Sequence, residues 1–377
     1  MRHAVIIGAG IGGLTAALAL RNRNWTVEII ERADRLEDAG SGLGMSPNAL
    51  RALDTIGVGD AVRELAAFTG SAGIRRFDGR WLSRVDLAEL NRRFGDPVLA
   101  LPRPQLVRLL ADRLGDTRLR LGVTVHNTDP GTGRVGTDHG DADADLVVAA
   151  DGIHSRIRRA LFPDHPQPHY SGITTWRTLV PTPPHPVTPS EYWGRGAILG
   201  TIPVSGERVY LYAAAAASAG VRATDERAEL TRRYGDWADP IPELLRSADP
   251  AAILRNDVYH LGTALPRFHT GRIALLGDAA HPMTPNLGQG ACQAIEDAVQ
   301  LAAQLDTGAG LAGYSRARLR RTTDIARRSA RITRLTKWRN PVATAVRDTA
   351  LRIAGKLGPG VAIRQVAPVY DWRPPTN

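Results

Sequence analysis

The stretch that decides the fold is residues 4–31, AVIIGAGIGGLTAALALRNRNWTVEIIE. Residues 4–7 form an apolar strand, residues 14–20 an alanine-rich helix and residues 25–30 a second strand. A G-x-G-x-x-G pattern lies between the first strand and the helix, and Glu31 follows the second strand. This order of strand, glycines, helix, strand and acid predicts a Rossmann-type βαβ unit that binds a dinucleotide.

Each part of this motif has a physical role. Gly8 permits the tight turn, Gly10 lets a pyrophosphate approach the backbone, and Gly13 lets the helix pack on the strand. The positive end of the helix faces the phosphates, and Glu31 accepts hydrogen bonds from ribose hydroxyls. The same glycine pattern recurs at residues 131–136. No helix starts there, so that copy predicts only a hairpin turn.

Two later strands also end in a carboxylate. Residues 146–150 form a fully apolar strand, which is followed by Asp151. Residues 273–276 form another, and Asp278 follows it in a loop rich in proline and glycine. A helix begins after this loop, near Gly290. Ligands of open α/β sheets bind at the carboxyl ends of strands, so both loops are expected to border the cofactor.

Patterns in the rest of the sequence predict further helices and strands near the cofactor, an inserted sheet and a C-terminal helical segment. Residues 39–60 predict a glycine loop along the cofactor and then a helix, and a further helix begins at Arg103. Residues 119–126 predict one strand. From residue 169, aromatic residues alternate in segments separated by turns, which predicts an antiparallel sheet inserted into the first domain. From residue 313 the chain predicts Arg-rich helices, with the last helix at residues 342–357.

The predicted fold is therefore α/β, with a Rossmann-like cofactor-binding domain, an inserted antiparallel β-sheet substrate domain and a C-terminal helical segment that packs on the body. The first domain is discontinuous. The expected ranges are 1–75, 97–168 and 266–312 for the cofactor domain, 76–96 and 169–265 for the sheet domain, and 313–377 for the helical segment.

The composition is that of an ordinary globular protein. Of 377 residues, 43% are hydrophobic and 23% charged, which is enough to build two domains with large cores. The single cysteine, Cys292, excludes an intrachain disulfide. No signal peptide is evident, and no apolar run reaches the ~18 residues of a membrane span. These features predict a cytoplasmic protein.

The charge is uneven. The net charge is +10, and residues 316–356 contain 13 arginine and lysine residues against two acids. Such a segment raises the possibility of binding to nucleic acid or to an anionic membrane. Because no aromatic stacking platform accompanies the charge, a solvated basic face is favoured over nucleic-acid binding.

Three motifs together resemble a known family. They are the N-terminal βαβ unit with Glu31, DGIHSRIRR at residues 151–159, and GDAAHPMTPNLGQG at residues 277–290. In this order they resemble the single-component FAD-dependent aromatic monooxygenases of the para-hydroxybenzoate hydroxylase class. The similarity is strongest to the subgroup that contains urate hydroxylase, zeaxanthin epoxidase and salicylate hydroxylase-like enzymes.

The resemblance implies FAD as cofactor and NADH or NADPH as co-substrate. It implies that Asp278 binds the ribityl chain, that Asp151 lies near the pyrophosphate and supports use of NAD(P)H, and that Pro285 borders the flavin edge where oxygen reacts. The full set of residues implied to hold FAD is Gly8, Gly10, Gly13, Glu31, Arg32, Arg103, Asp151, Gly277, Asp278, Pro285, Gly288, Gly290 and Ala291.

The implied reaction is hydroxylation or epoxidation of an aromatic or otherwise electron-rich small molecule by O₂, through a flavin C4a-hydroperoxide. It needs no protein nucleophile, which agrees with the lack of a convincing Ser/His/Asp or Cys/His arrangement. One alternative is a FAD oxidase or dehydrogenase that forms no oxygenated product. Another is a flavoprotein whose basic tail binds nucleic acid or membrane. Either a monomer or a homodimer is expected.

Substrate contacts are expected from the inserted sheet. The candidates are Trp176, Arg177, Tyr192, Arg195 and Tyr212. Of these, Arg177, Arg195 and Tyr212 are predicted to be catalytic together with Pro285. His281 is expected to be structural rather than a catalytic base.

Overall fold

The computed structural model describes residues 2–36, 41–65 and 71–375; residues 39 and 40 of the predicted glycine loop lie outside these ranges. The strands are β1 (His3–Ile7), β2 (Thr26–Ile30), β3 (Gly42–Met45), β4 (Ser71–Arg76), β5 (Trp81–Asp86), β6 (Leu99–Pro102), β7 (Arg118–Arg120), β8 (Val125–Thr128), β9 (Arg134–Thr137), β10 (Ala142–Asp143), β11 (Leu146–Ala149), β12 (His169–Pro181), β13 (Ser190–Trp193), β14 (Ala197–Val204), β15 (Arg208–Ala216), β16 (Leu254–His260), β17 (His269–Thr270) and β18 (Ile273–Leu275).

The helices complete the chain. They are α1 (Ile11–Arg21), α2 (Pro47–Asp54), α3 (Gly59–Glu64), α4 (Leu87–Phe94), α5 (Arg103–Asp112), α6 (Arg156–Leu161), α7 (Glu226–Tyr234), α8 (Ile241–Arg246), α9 (Gly290–Asp306), α10 (Gly310–Thr336), α11 (Pro341–Lys356) and α12 (Pro359–Tyr370). Two 3₁₀ turns, Gly277–Ala279 and Pro285–Leu287, lie between β18 and α9.

A six-stranded sheet forms the Rossmann-like domain, as predicted. Its strand order is β17-β18-β11-β1-β2-β7, and all strands except the edge strand β17 are parallel. Strands β1 and β11 are almost wholly buried, because helices cover a parallel sheet on its faces. In this order, β11, which precedes Asp151, lies between β1, which precedes the N-terminal glycine turn, and β18, which precedes Gly277.

The predicted strand at residues 119–126 is wrong. The chain instead forms β7 and β8, which belong to different sheets. They are separated at Gly122, whose φ of +68° turns the backbone into a region that favours glycine. The second glycine pattern does form the turn between β8 and β9, as expected.

A seven-stranded sheet forms the inserted domain, in the order β16-β12-β15-β14-β13-β4-β5. It is antiparallel except where β13 meets β4. Strand β4 starts before the expected domain boundary at residue 75 and pairs within this sheet. The outer face packs against α7 and α8. The inner face packs in part against β6 of the first domain, where Ala100 contacts Tyr210.

The C-terminal segment is helical, as predicted, but it contains one more helix. Helix α10 packs along α9, α11 packs on β5, and α12 returns to α2. The helix predicted at residues 342–357 was expected to be the last, but Pro359 begins α12, since proline is well tolerated in the first turn of a helix. Within the described part of the chain, no helix has the length and apolar character needed to cross a bilayer.

Candidate functional site

The N-terminal glycines have distinct surroundings. Gly8 has a φ of +107°, and a Cβ there would lie 2.4 Å from the carbonyl oxygen of Ala150. A Cβ on Gly13 would lie 1.9 Å from the carbonyl oxygen of Gly8. A Cβ on Gly10 would meet no atom within 4 Å. Gly8 and Gly13 are therefore needed for packing, whereas the space beside Gly10 is open to a ligand.

Glu31 is held at the edge of this open space. Its Oε2 accepts a hydrogen bond from the backbone N–H of Ala9 at 2.7 Å, and its Oε1 accepts one from Ala33 at 2.9 Å. Each carboxylate oxygen can accept a further hydrogen bond. The side chain is thus oriented by the glycine turn itself and can still bind ribose hydroxyls. Arg32 is exposed beside it.

Asp151 lies at the end of β11, next to the glycine turn. Its Oδ2 accepts a hydrogen bond from the N–H of Arg156 at 3.0 Å. Its Oδ1 is buried without a hydrogen-bond partner among the described residues. Burial raises the pKa of this carboxyl group. A buried acceptor without a donor is costly, so this oxygen suits a ligand that donates a hydrogen bond.

Asp278 lies at the corresponding end of β18, in the first 3₁₀ turn. The residue is exposed on the surface of the protein. Desolvation by the surrounding protein raises the pKa of its carboxyl group, and the nearby charges of His281, Arg103 and Arg158 lower it by less. The predicted pair Arg103 and Asp278 is therefore brought together. Gly277 has a φ of +61° and approaches α9 closely, since a Cβ there would lie 3.0 Å from Ala294.

Arg158 was missed by the sequence predictions. It is buried, and its Nη1 donates hydrogen bonds to the carbonyl oxygens of Asp278 and Ala279 at 3.2 and 3.0 Å. It thus ties the segment that follows β11 to the loop that follows β18. Its position in DGIHSRIRR was the available signal: Ser155 caps α6 by accepting the N–H of Arg158, which directs this arginine inward.

The loop from Pro285 to Ala291 presents backbone to the site. Pro285 is exposed, and Gly288 has a φ of +61°. A Cβ on Gly288 or on Gly290 would meet no atom within 4 Å. Helix α9 begins at Gly290, as predicted, with no acid in its first turn. The positive end of a 17-residue helix therefore faces an open, glycine-lined surface.

A buried charge network supports this loop. Arg318 of α10 is fully buried and ion-paired with Glu296 at 2.5 Å and with Asp297 at 2.6 Å. Oδ2 of Asp297 also contacts His281 and accepts the N–H of Gly277 at 2.9 Å. Burial raises the pKa of Asp297, but the charges of His281 and Arg318 outweigh it and lower the pKa to about 2. His281 is thus part of the buried network that holds this loop, and its structural role stays a prediction.

Two of the residues expected to contact substrate, Arg177 and Tyr212, lie on the inner face of the seven-stranded sheet. Arg177 on β12 and Tyr212 on β15 are directly opposite each other. Nη2 of Arg177 donates to Asn256 at 2.8 Å, whereas its Nε is buried without a hydrogen-bond partner among the described residues. The rings of Tyr210 and Tyr212 lie 5.4 Å apart. Together these residues form a cationic and aromatic surface.

Tyr212 is fixed by a carboxylate that the sequence predictions missed. Its hydroxyl donates to Glu191 at 2.8 Å, and Nε1 of Trp193 donates to the same carboxylate at 2.5 Å. Burial raises the pKa of Glu191, and burial together with the nearby Glu191 charge raises that of Tyr212. The Tyr212 ring lies across Gly200, where a Cβ would be 2.0 Å from the ring.

Tyr210 joins the two halves of the site, and it too was not proposed as a site residue. A Cβ on Gly42 of β3 would lie 2.2 Å from the Tyr210 ring. Next to Gly42, the carbonyl oxygen of Ser41 accepts the N–H of Arg103. Arg177 is near enough for its charge to lower the pKa of Tyr210, although burial raises it more. Alternation along β15 places Tyr210 and Tyr212 on one face, which was the available signal.

Three predicted substrate residues do not lie here. Trp176 and Tyr192 face the opposite side of the sheet and pack in the core under α7 and α8. Trp176 also donates a hydrogen bond to Glu226 there, at 2.7 Å. Arg195, predicted to be catalytic, is exposed in the turn between β13 and β14 and borders a separate crevice beside Arg347 of α11. Arg195 thus lies in a turn at the end of two strands, whereas Arg177 lies within β12.

Known proteins are similar to this chain in sequence and in architecture. A family model described as FAD binding domain matches residues 2–338. The chain is 37% identical to an aurachin C monooxygenase/isomerase of Stigmatella aurantiaca, over 93% of both chains. It is 33% identical to a 2-heptyl-3-hydroxy-4(1H)-quinolone synthase of Pseudomonas aeruginosa, again over 93% of both. The crystal structure of Klebsiella pneumoniae HpxO with FAD and uric acid matches with a TM-score of 0.90 and 28% identity, over 99% of this chain and 97% of that one.

Proposed function

The chain belongs to the FAD-binding domain family and is a FAD-dependent monooxygenase, and we propose that its substrate is a planar aromatic molecule with an acidic or strongly hydrogen-bond-accepting oxygen. The observation that carries this proposal is the buried Nε of Arg177, which has no hydrogen-bond partner among the described residues. The Klebsiella pneumoniae HpxO structure contains uric acid, and the Pseudomonas aeruginosa relative is named for a hydroxyquinolone that it makes. Both molecules are planar and carry acidic or hydrogen-bond-accepting oxygens, which supports the proposal.

The residues present fit FAD. The open space at Gly10 accepts a pyrophosphate at the N-terminus of α1, and Glu31 stands beside it for the ribose. Arg103 and Asp278 flank the place for the ribityl chain. The glycine-lined loop before α9 offers backbone N–H groups to the flavin ring. Bound FAD supplies the redox chemistry that activates O₂, with NADH or NADPH as the proposed electron donor.

The inner sheet face would orient and activate the substrate. Arg177 would hold the substrate oxygen in its anionic form, and a phenolate or enolate makes the ring more electron-rich at the carbon to be oxygenated. The Tyr210 hydroxyl is neutral at pH 7, as that of an ordinary tyrosine is, and burial raises its pKa further; it can therefore donate a hydrogen bond. Glu191 holds the Tyr212 ring in place rather than contacting the substrate directly.

One assay tests this proposal. The FAD-loaded protein is incubated with NADH or NADPH and a panel containing uric acid, 2-alkyl-4-quinolones and aminohydroxybenzoates under ¹⁸O₂. We expect at least one member to stimulate NAD(P)H oxidation and to gain one ¹⁸O atom by mass spectrometry. Unlabelled product, or turnover only with neutral aromatics that lack an acidic or accepting oxygen, contradicts it.

A further inference from the structure

Exposed large apolar side chains are concentrated in one stretch of the described chain. Val221, which is 64% exposed, lies elsewhere. The others are Leu335 at 37%, Trp338 at 39%, Val342 at 72%, Val346 at 62%, Ile353 at 57% and Leu357 at 72%. Exposed apolar residues that are concentrated in this way mark a binding site more often than scattered ones do.

The spacing along α11 places this surface on one face. Val342, Val346, Ile353 and the following Leu357 recur at the i, i+4, i+11, i+15 spacing of a single helical stripe. Leu351 lies on the opposite side and packs into the cluster between α11 and the sheet. The helix is thus already anchored by its inner face, and the apolar stripe points outward.

The surroundings of the stripe are cationic. Arg352 and Lys356 of α11 and Arg339, which shortly precedes the helix, are exposed. The one acid of α11, Asp348, is neutralised by an ion pair with Arg347 at 2.8 Å. An outward apolar stripe flanked by cations on a helix too polar to cross a bilayer is the pattern of a helix that lies in a membrane interface.

We propose that α11, with Leu335 and Trp338, is a docking surface for an anionic lipid bilayer. A second copy of the chain is the less favourable occupant, because a symmetric contact through this stripe would place the two cationic surfaces against each other. A bilayer with anionic headgroups instead complements both parts of the surface: the acyl region accepts the apolar stripe, and the headgroups accept the cations.

The test uses the full-length, FAD-loaded protein and flotation with vesicles. One set of vesicles is phosphatidylcholine alone, and the other contains phosphatidylglycerol. Val346→Glu is compared with Val221→Glu: the two valines are exposed to the same extent and the charge change is the same, but only Val346 lies on the stripe. Circular dichroism and flavin absorbance verify that both variants fold, and light scattering on a sizing column gives the oligomeric state.

We expect wild type and Val221→Glu to float with phosphatidylglycerol vesicles and to be released by salt. Val346→Glu should bind at least about tenfold more weakly, from lost burial and added repulsion. Three outcomes overturn the proposal: no vesicle binding by wild type, equal loss in both variants, or a dimer that only Val346→Glu dissociates and that does not bind vesicles. None of these outcomes depends on the substrate, so a failure of membrane binding would leave the proposed oxygenation untouched, and the reverse also holds.

Discussion

Nε2 of His281 lies 2.5 Å from Oδ2 of Asp297, and both side chains are buried. This contact joins the loop after β18 to the middle of α9. The same aspartate accepts the N–H of Gly277 and pairs with Arg318 of α10. The loop after β18, helix α9 and helix α10 are therefore held together by a single carboxylate.

Arg318→Met should destabilise the protein strongly. It leaves Glu296 and Asp297 with too little compensating positive charge, and breaking a buried ion pair costs about 3–5 kcal/mol. Arg320→Met is the matched control, since the Arg320 side chain on the same helix is 94% exposed. Denaturant unfolding of both variants measures the effect. Equal stability of the two would show that the network does not support the fold.

Gly10→Ala and Gly13→Ala should separate binding from folding. Gly10 has a φ of −74°, which alanine adopts freely, and its Cβ position is open. The Gly10→Ala apoprotein should therefore unfold like wild type yet bind FAD about tenfold or more weakly, because the methyl group occupies the phosphate site. Gly13→Ala should lower stability, since its Cβ would clash with Gly8. Apoprotein melting and FAD titration distinguish the two effects, and a destabilised Gly10→Ala apoprotein would argue against the open space.

Asp278→Ala should weaken FAD binding and leave the fold intact. Loss of a hydrogen bond to a charged group costs about 1.5–3 kcal/mol, or roughly 10–150-fold in affinity. Asp324→Ala on α10, which also removes an exposed carboxylate, should have no effect on FAD affinity. Flavin fluorescence upon dilution measures both. Unchanged retention of FAD by Asp278→Ala would remove this residue from the cofactor site.

Arg177→Met should raise KM for the substrate by roughly 10–150-fold, since it removes a hydrogen bond to a charged group, which is worth about 1.5–3 kcal/mol. Arg195→Met should leave KM unchanged, because Arg195 lies in a turn beside α11. Steady-state kinetics with the best substrate of the panel tests the pair. A larger effect of Arg195→Met would place the substrate elsewhere.

Glu191→Gln should change stability in a pH-dependent manner. Burial raises the folded-state pKa of Glu191 above its usual 4.5, so its ionised form opposes folding above the folded pKa, and this cost disappears as pH falls towards 4.5. Relative to wild type, the glutamine variant should therefore gain melting temperature at pH 8, and the difference should shrink towards pH 4.5. A difference that grows as the pH is lowered would have the wrong sign.

Local patterns correctly predicted the strands and helix starts that border the proposed cofactor site. The glycine turn, the strand ends at Asp151 and Asp278, and the start of α9 depend on short-range geometry, which a sequence displays directly. The residues of the proposed substrate site were harder to predict from the sequence. Trp176 and Arg177 are neighbours on one strand, so they must face opposite ways. The sequence does not say which face meets the flavin, because that depends on packing between the sheets.

Long-range partners could not be predicted at all. Arg158 and Arg318 both contact residues more than 20 positions away, and neither spacing nor periodicity identifies such partners. The division of β7 from β8 was missed because the residues on both sides of Gly122 have a continuous strand pattern, and a single glycine was not taken as a turn. The helix α12 was missed because Gly-Pro marks a helix start as readily as a stop.

The sheet order has a consequence for synthesis on the ribosome. The glycine turn after β1 emerges first, but its neighbour β11 gains its second partner, β18, only after the whole seven-stranded sheet has been made. At about 5–20 residues per second, β11 waits roughly 6–25 seconds for β18 to be synthesised. The pair of strand ends that carries Asp151 and Asp278 is therefore completed late in synthesis, and until then one edge of β11 lacks its partner strand.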